Sequence, residues 1–267
     1  MPYIELNGAQ IYYEEHGDGP QTLVFAHGLL WSGAMFEAQV AHFAPRYRCV
    51  CFDFRGQGKS EITPAGYDMD SLTRDAAALI EALGCAPCHF AGLSMGGFIG
   101  LRLALQHAPL LRSLILLETT ADAEPPENAG RYRRLNFIAR WFGLGMVAGP
   151  VMHIMFGQKF LHDAARAGQR ELWRARLVAN DRRGITRAVQ AVIERSGVAG
   201  QISALDLPVL IVVGDQDVAT RPDKARALNA AIRGSKLVQI EGAGHSATIE
   251  EPRAVNAAIE QFLAGLA

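Results

Sequence analysis

Six short apolar runs punctuate this chain, separated by stretches long enough to hold a helix. They are Thr22–Ala26, Arg48–Phe52, Cys88–Ala91, Leu114–Leu117, Val209–Val213 and Leu237–Ile240. None alternates polar with apolar residues. Continuous blocks of this kind mark strands buried on both faces, which occur in parallel sheets covered by helices. Apolar residues at helical spacing in Leu72–Leu83, Phe98–His107 and Val255–Leu263 supply the covering layers. Ahead of them, Ile4–Leu6 and Gln10–Glu15 flank Asn7-Gly8, a hairpin signal. The expected fold is of the α/β class: a mostly parallel eight-stranded sheet with helices on both faces.

The alternation lapses once. Between Ala121 and Ala204 no strand-like run occurs, and helices are expected over Asn128–Phe142, Gly145–Phe156, Ala164–Asn180 and Ile185–Ser196. This stretch holds 13 Arg and Lys against 7 Asp and Glu, whereas the remainder holds 13 against 20. A segment with its own pattern and its own charge sign reads as an insertion. The expected division is a core of 1–120 and 205–267 and a helical cap of 121–204.

The whole chain carries a net charge of −1, so no nucleic-acid partner is expected. The weakly polar stretch Trp141–Gly157 contains four glycines and Pro150, too short and too broken for a membrane span. Met1-Pro-Tyr-Ile-Glu lacks a basic and then apolar leader, and the expected location is the cytoplasm. Cys49 and Cys51 read as buried fillers. Cys85-Ala-Pro-Cys88 has no second ligand pair beside it and reads as reduced loop cysteines. No metal and no cofactor is expected.

Gly92-Leu93-Ser94-Met95-Gly96 falls between a strand-like run and a helical stretch. A nucleophile on a tight strand-to-helix turn is forced into strained backbone angles, and a glycine two residues to either side removes the clashes. The turn lifts the hydroxyl above the sheet and leaves the Met95 amide at a helix N-terminus, suited to hold an oxyanion. A serine hydroxyl needs a base, and the base needs an orienting acid. Gly244-His245-Ser246 follows the last strand, and Gly214-Asp215-Gln216-Asp217 follows the one before it. His245 is the expected base. Asp217 is the expected acid, Asp215 a brace of the turn, and Glu118 an alternative acid. His27-Gly28-Leu29 ends an early strand; Leu29 offers a second oxyanion amide, Gly28 allows close approach, and His27 braces the loop.

On these residues the chain resembles the α/β-hydrolase family along nearly its whole length. The matching stretches are His27-Gly28-Leu29, Asp53-Phe-Arg-Gly-Gln-Gly-Lys-Ser60, Gly92-Leu-Ser-Met-Gly-Gly97, Gly214-Asp-Gln-Asp217 and Gly242-Ala-Gly-His-Ser246. The resemblance implies a triad of Ser94, Asp217 and His245, an oxyanion hole of the Leu29 and Met95 amides, and a cap inserted after the sixth strand. Gly-Leu-Ser-Met-Gly-Gly and Asp217-Val-Ala-Thr-Arg-Pro222 are similar to small bacterial serine esterases and 3-oxoadipate enol-lactonase-like hydrolases. Haloalkane dehalogenases and epoxide hydrolases carry aspartate where Ser94 stands, so the resemblance implies an acyl-enzyme and not an alkyl-enzyme ester. Proline iminopeptidases pair the serine with tryptophan where Met95 stands.

A pocket between insertion and sheet edge should be mostly apolar. Trp141, Phe142, Met146, Val147, Met152, Met155 and Phe156 supply bulk there. The substrate-binding residues expected are Gly28, Trp31, Trp141, Met146 and Val218. Arg131, Arg133, Arg134 and Arg140 share a helix, with Arg182-Arg183 in a following turn. They read as a solvated face, with a bidentate grip on a substrate carboxylate as the functional alternative. The expected activity is cofactor-free hydrolysis of small carboxylic esters or lactones through an acyl-enzyme. C–C bond hydrolysis, hydroxynitrile lysis and peracid formation by the same residues stay open, as does a non-catalytic ligand receptor.

Overall fold

A computed structural model describes residues 2–266. The hairpin of β1 (Tyr3–Leu6) and β2 (Ala9–His16) turns at Asn7-Gly8, whose φ values are 48° and 73°. Two consecutive left-handed residues give a turn whose twist matches that of the flanking strands. The six apolar runs form β3 (Thr22–Ala26), β4 (Arg48–Phe52), β5 (Cys88–Leu93), β6 (Leu111–Leu117), β7 (Val209–Gly214) and β8 (Lys236–Ile240). All join one sheet in the order β1-β2-β4-β3-β5-β6-β7-β8. β1 and β2 are antiparallel to their neighbours, and the other pairings are parallel.

Burial explains why the runs are apolar throughout. Every residue of β3, β5 and β7 is buried, and helices cover both faces. The helices are α1 (Glu37–Phe43), α2 (Met69–Ala82), α3 (Met95–Gln106), α4 (Pro126–Phe142), α5 (Ala148–Met155), α6 (Gln158–His162), α7 (Ala167–Ala179), α8 (Arg182–Ile193), α9 (Pro222–Ala231), α10 (Ala247–Glu250) and α11 (Pro252–Ala264). Buried side chains divide into two apolar clusters. Val24, Phe90 and Ile99 belong to one, and Phe25, Ile115 and Ile259 to the other. Neighbouring strand residues therefore feed opposite clusters, the two-residue period of a pleated sheet. Each fully buried Val, Leu, Ile or Phe contributes about 1.5–3 kcal/mol.

Helices α4 to α8 intervene between β6 and β7, where no strand was expected. Their boundaries differ from expectation: α6 is an additional helix between α5 and α7, α7 starts at Ala167 and α8 ends at Ile193, and two further differences have a local cause. Arg182 and Arg183 open α8 instead of lying in a turn, because the Asp181 carboxylate accepts the Arg183 N–H at 2.7 Å and caps the helix. A 3₁₀ turn at Leu144–Met146 follows Gly143 and separates α4 from α5. The insertion leaves and rejoins the core at one point: the Val198 amide donates to the Ala121 carbonyl at 2.7 Å. At Gly184 a Cβ would stand 1.9 Å from the Gly56 carbonyl, so α8 packs directly on the loop after β4. Among the described residues no helix is long and apolar enough to cross a membrane.

Candidate active site

Ser94 joins β5 to α3 with φ 52° and ψ −109°. A non-glycine residue in this region stores on the order of 1–3 kcal/mol of strain. The surroundings hold it there. Its amide donates to the Leu117 carbonyl at 2.8 Å, and Thr119 Oγ1 donates to its carbonyl at 2.9 Å. The flanking glycines are sterically required. A Cβ at Gly92 would lie 2.2 Å from the Gly96 carbonyl oxygen, and one at Gly96 would lie 2.1 Å from that of Ala26.

The Ser94 hydroxyl lies 2.9 Å from His245 Nε2, and His245 Nδ1 lies 2.8 Å from Asp217 Oδ2. The three residues come from the ends of β5, β7 and β8, and all are buried. With Asp217 as a carboxylate, Nδ1–H donates to it, which leaves Nε2 as the acceptor facing the serine. Asp217 also accepts the Ala219 and Thr220 amides on Oδ1 at 2.7 and 3.0 Å, and the Thr220 hydroxyl on Oδ2 at 2.8 Å. Burial pushes its pKa up, but the charge and hydrogen bond of His245 and the bonds from Thr220 outweigh that and hold it at about 2. It is therefore an anion at neutral pH.

The other acids near the site have separate partners. Asp215 Oδ1 accepts the Gly242 amide at 2.8 Å and pins the two loops together. Glu118, at the end of β6, is fully buried, has φ 46°, and accepts the Gly214 amide at 2.9 Å. Burial and then the charge of Asp217 raise its pKa well above the carboxylate range. Burial thus favours the neutral form of Glu118 beneath the β7 loop, and among the described residues it makes no hydrogen bond to His245. Glu250, which sequence reasoning missed, accepts the amides of Gly157, Gly244 and Ser246 at 2.8, 3.0 and 3.1 Å. Thr220 was also missed. The only signal for either lay in proximity, Thr220 three residues after Asp217 and Glu250 five after His245.

On the other side of Ser94, His27 Nε2 accepts the Phe54 amide at 2.9 Å, and its Nδ1 is 2.7 Å from the Gly28 carbonyl. These bonds fix the loop after β3. A Cβ at Gly28 would come within 2.9 Å of Leu93 Cδ2, the tip of a flexible side chain, and within ordinary contact, 3.6 Å, of the Ser94 Cβ. Among the described residues the Leu29 and Met95 amides donate to no protein acceptor. Met95 is the first residue of α3, where the helix dipole adds positive potential.

A model of the alpha/beta hydrolase fold family matches residues 21–252. The chain belongs to the α/β hydrolase fold family. It is 29% identical to 3-oxoadipate enol-lactonase 2 of Acinetobacter baylyi over 242 residues, 91% of this chain and 88% of that one. A thermophilic esterase from Thermogutta terrifontis superposes with a TM-score of 0.92 at 26% identity, covering 100% of this chain and 99% of the other. The enol-lactonase from Burkholderia xenovorans LB400 also superposes at 0.92, with 27% identity and 98% and 100% coverage.

In this hydrolase-fold chain Ser94 and His245 open onto a cavity of about 120 Å³. A 150 Å³ apolar cavity takes up a benzene ring, so this slightly smaller one has room for a group of about five or six heavy atoms. Its walls are Leu29 and Phe98 from the core and Leu135, Ala139, Val147 and Ile185 from the insertion. The expected pocket residues lie elsewhere. Trp141, Met146 and Val218 are 62%, 68% and 56% exposed and do not line the cavity. Trp141 follows Arg140 on the solvent face of α4, Met146 sits in the 3₁₀ turn, and Val218 points out of the loop whose next two residues face inward. Trp31 is buried away from the cavity, edge-on to Trp173 at 5.2 Å and tilted against Phe156 at 5.8 Å. It seals the loop after β3 to the insertion. Arg131, Arg133, Arg134, Arg140, Arg182 and Arg183 are all exposed.

Proposed function

We propose that this chain is a serine hydrolase of small carboxylic esters or lactones, acting through an acyl-enzyme. The observation that carries the reading is the hydrogen-bonded series Ser94–His245–Asp217 opening on an apolar cavity. His245 Nε2 takes the hydroxyl proton as Ser94 Oγ attacks the carbonyl carbon. Asp217 holds the imidazole in the required tautomer and stabilises the imidazolium as it forms. The oxygen of the tetrahedral adduct accepts from the Leu29 and Met95 amides, which among the described residues have no other acceptor. His245 then protonates the departing alcohol oxygen, and the C–O bond breaks to leave acyl-Ser94. For a lactone, the alcohol stays tethered to the acyl group. Water, deprotonated by His245, releases the acid and restores the serine.

Residues 121–204 serve in this reading as the cap that walls the acyl pocket. Enol-lactonase and esterase relatives of nearly equal length support it. The test is Ser94→Ala assayed on a short p-nitrophenyl ester. Turnover should fall by on the order of a thousandfold or more. Undiminished turnover, with the variant folded, overturns the assignment.

A further inference from the structure

The cavity wall carries a buried ion pair. Arg195, after α8, and Glu124, before α4, both line the cavity. Their side chains are 2% and 7% exposed and meet at 2.6 Å, Nη1 to Oε2. Arg195 is fixed from several sides. Nε donates to the Asp122 carbonyl at 3.2 Å, Nη1 also to that of Val192 at 2.8 Å, and the guanidinium lies over the Phe98 ring, 4.1 Å from its centre. Among the described residues Nη2 has no acceptor. Tyr132 shares the wall, and burial followed by the charge of Glu124 lifts its phenol to about 12, so it is a neutral donor.

Stability alone does not account for such a pair, since well-packed apolar residues of the same volume commonly do as well or better. Its chemistry does. The Arg195 charge is already offset by Glu124, so a carboxylate arriving at this wall comes to lie beside Glu124. A neutral carbonyl oxygen can accept from Arg195 Nη2 or Tyr132 without bringing a charge out of water.

We propose that the Arg195–Glu124 pair sets acyl specificity, favouring acyl groups with a neutral hydrogen-bonding oxygen at their far end and rejecting those ending in a carboxylate. The inference rests on the reading of Ser94 as the acyl acceptor. The experiment compares kcat/KM for methyl levulinate, monomethyl succinate and methyl pentanoate. The first two differ only in a methyl ketone against a carboxylate. Wild type should favour levulinate over succinate by about tenfold or more, because the succinate carboxylate faces the like charge of Glu124. Glu124→Gln, which leaves Arg195 uncompensated, should raise kcat/KM for the succinate ester by about tenfold. The double variant Glu124→Leu/Arg195→Met, which removes both charges together, should bring levulinate down to the level of pentanoate. Equal use of the three esters by wild type overturns the specificity proposal and leaves the hydrolase reading standing. Turnover of a short p-nitrophenyl ester but of none of the three also overturns the specificity proposal alone, and turnover of none of the four overturns both.

Discussion

Glu250 binds the Gly157 amide, 93 residues away in the insertion, with the same carboxylate that holds the amides on either side of His245. The insertion and the His245 loop thus share one anchor. A shift of the chain at Gly157 must either break a buried bond or move the His245 loop with it.

Replacing that anchor gives the first prediction. Burial lifts Glu250 to about 7 from an ordinary 4.5, against the pull of three amides. An acid raised in the folded state contributes stability that is complete below its unfolded value and is lost as pH rises through the folded one. This group should therefore cost up to about 3 kcal/mol between about pH 4.5 and 8. Glu250→Gln should flatten that part of the curve in urea unfolding. It should also lower kcat, because the new amide N–H confronts the Gly157 N–H. A variant whose stability follows pH as wild type does would refute this role.

The two aspartates of the β7 loop should separate cleanly. Asp217→Asn presents a donor to His245 Nδ1 and favours the wrong tautomer, so kcat should fall on the order of a thousandfold to ten-thousandfold. Asp215→Asn weakens only the bond to Gly242 and should cost less than about tenfold. A reversed order would move the acid role to Asp215.

Acid stability follows from the same residue with the opposite sign. Asp217 sits at about 2 against an ordinary 3.8, so its contribution is present above 3.8 and is lost as pH falls through about 2. Asp217→Asn should show a shallower loss of stability below about pH 4 than wild type. Superimposable acid-unfolding curves would count against the charge.

Two glycine substitutions should diverge. Gly96→Ala drives a Cβ to 2.1 Å from the Ala26 carbonyl in β3 and should cost more than about 3 kcal/mol or prevent folding. Gly130→Ala, on exposed α4 with nothing within 4 Å, should stabilise by about 0.5–1 kcal/mol. Melting temperatures of the two variants decide the matter.

What the sequence made legible follows from where the physical demands are local. β3, β5 and β7 announce themselves because both of their faces are buried, and the turn at Ser94 does so because its glycines lie within two residues of it. Short helices such as α1 and α9 escaped notice, since seven to ten residues with few buried positions carry little periodic signal. The pocket was misread for another reason. A bulky residue in a helical stretch does not reveal which way its helix is turned, and Trp141 and Met146 face water. Arg195 was overlooked among better-clustered arginines because its partner Glu124 stands 71 residues away.

The bond between Val198 and Ala121 closes the insertion like a drawstring. A closed excursion can change length at a cost that grows only logarithmically, with no strand displaced. The sheet can therefore hold Ser94, Asp217 and His245 constant while chimeras exchange everything between those two stems. The wall of the cavity can then be varied on a separate piece of chain, provided that the contacts it makes with the core, the grip of Glu250 on Gly157 among them, are kept.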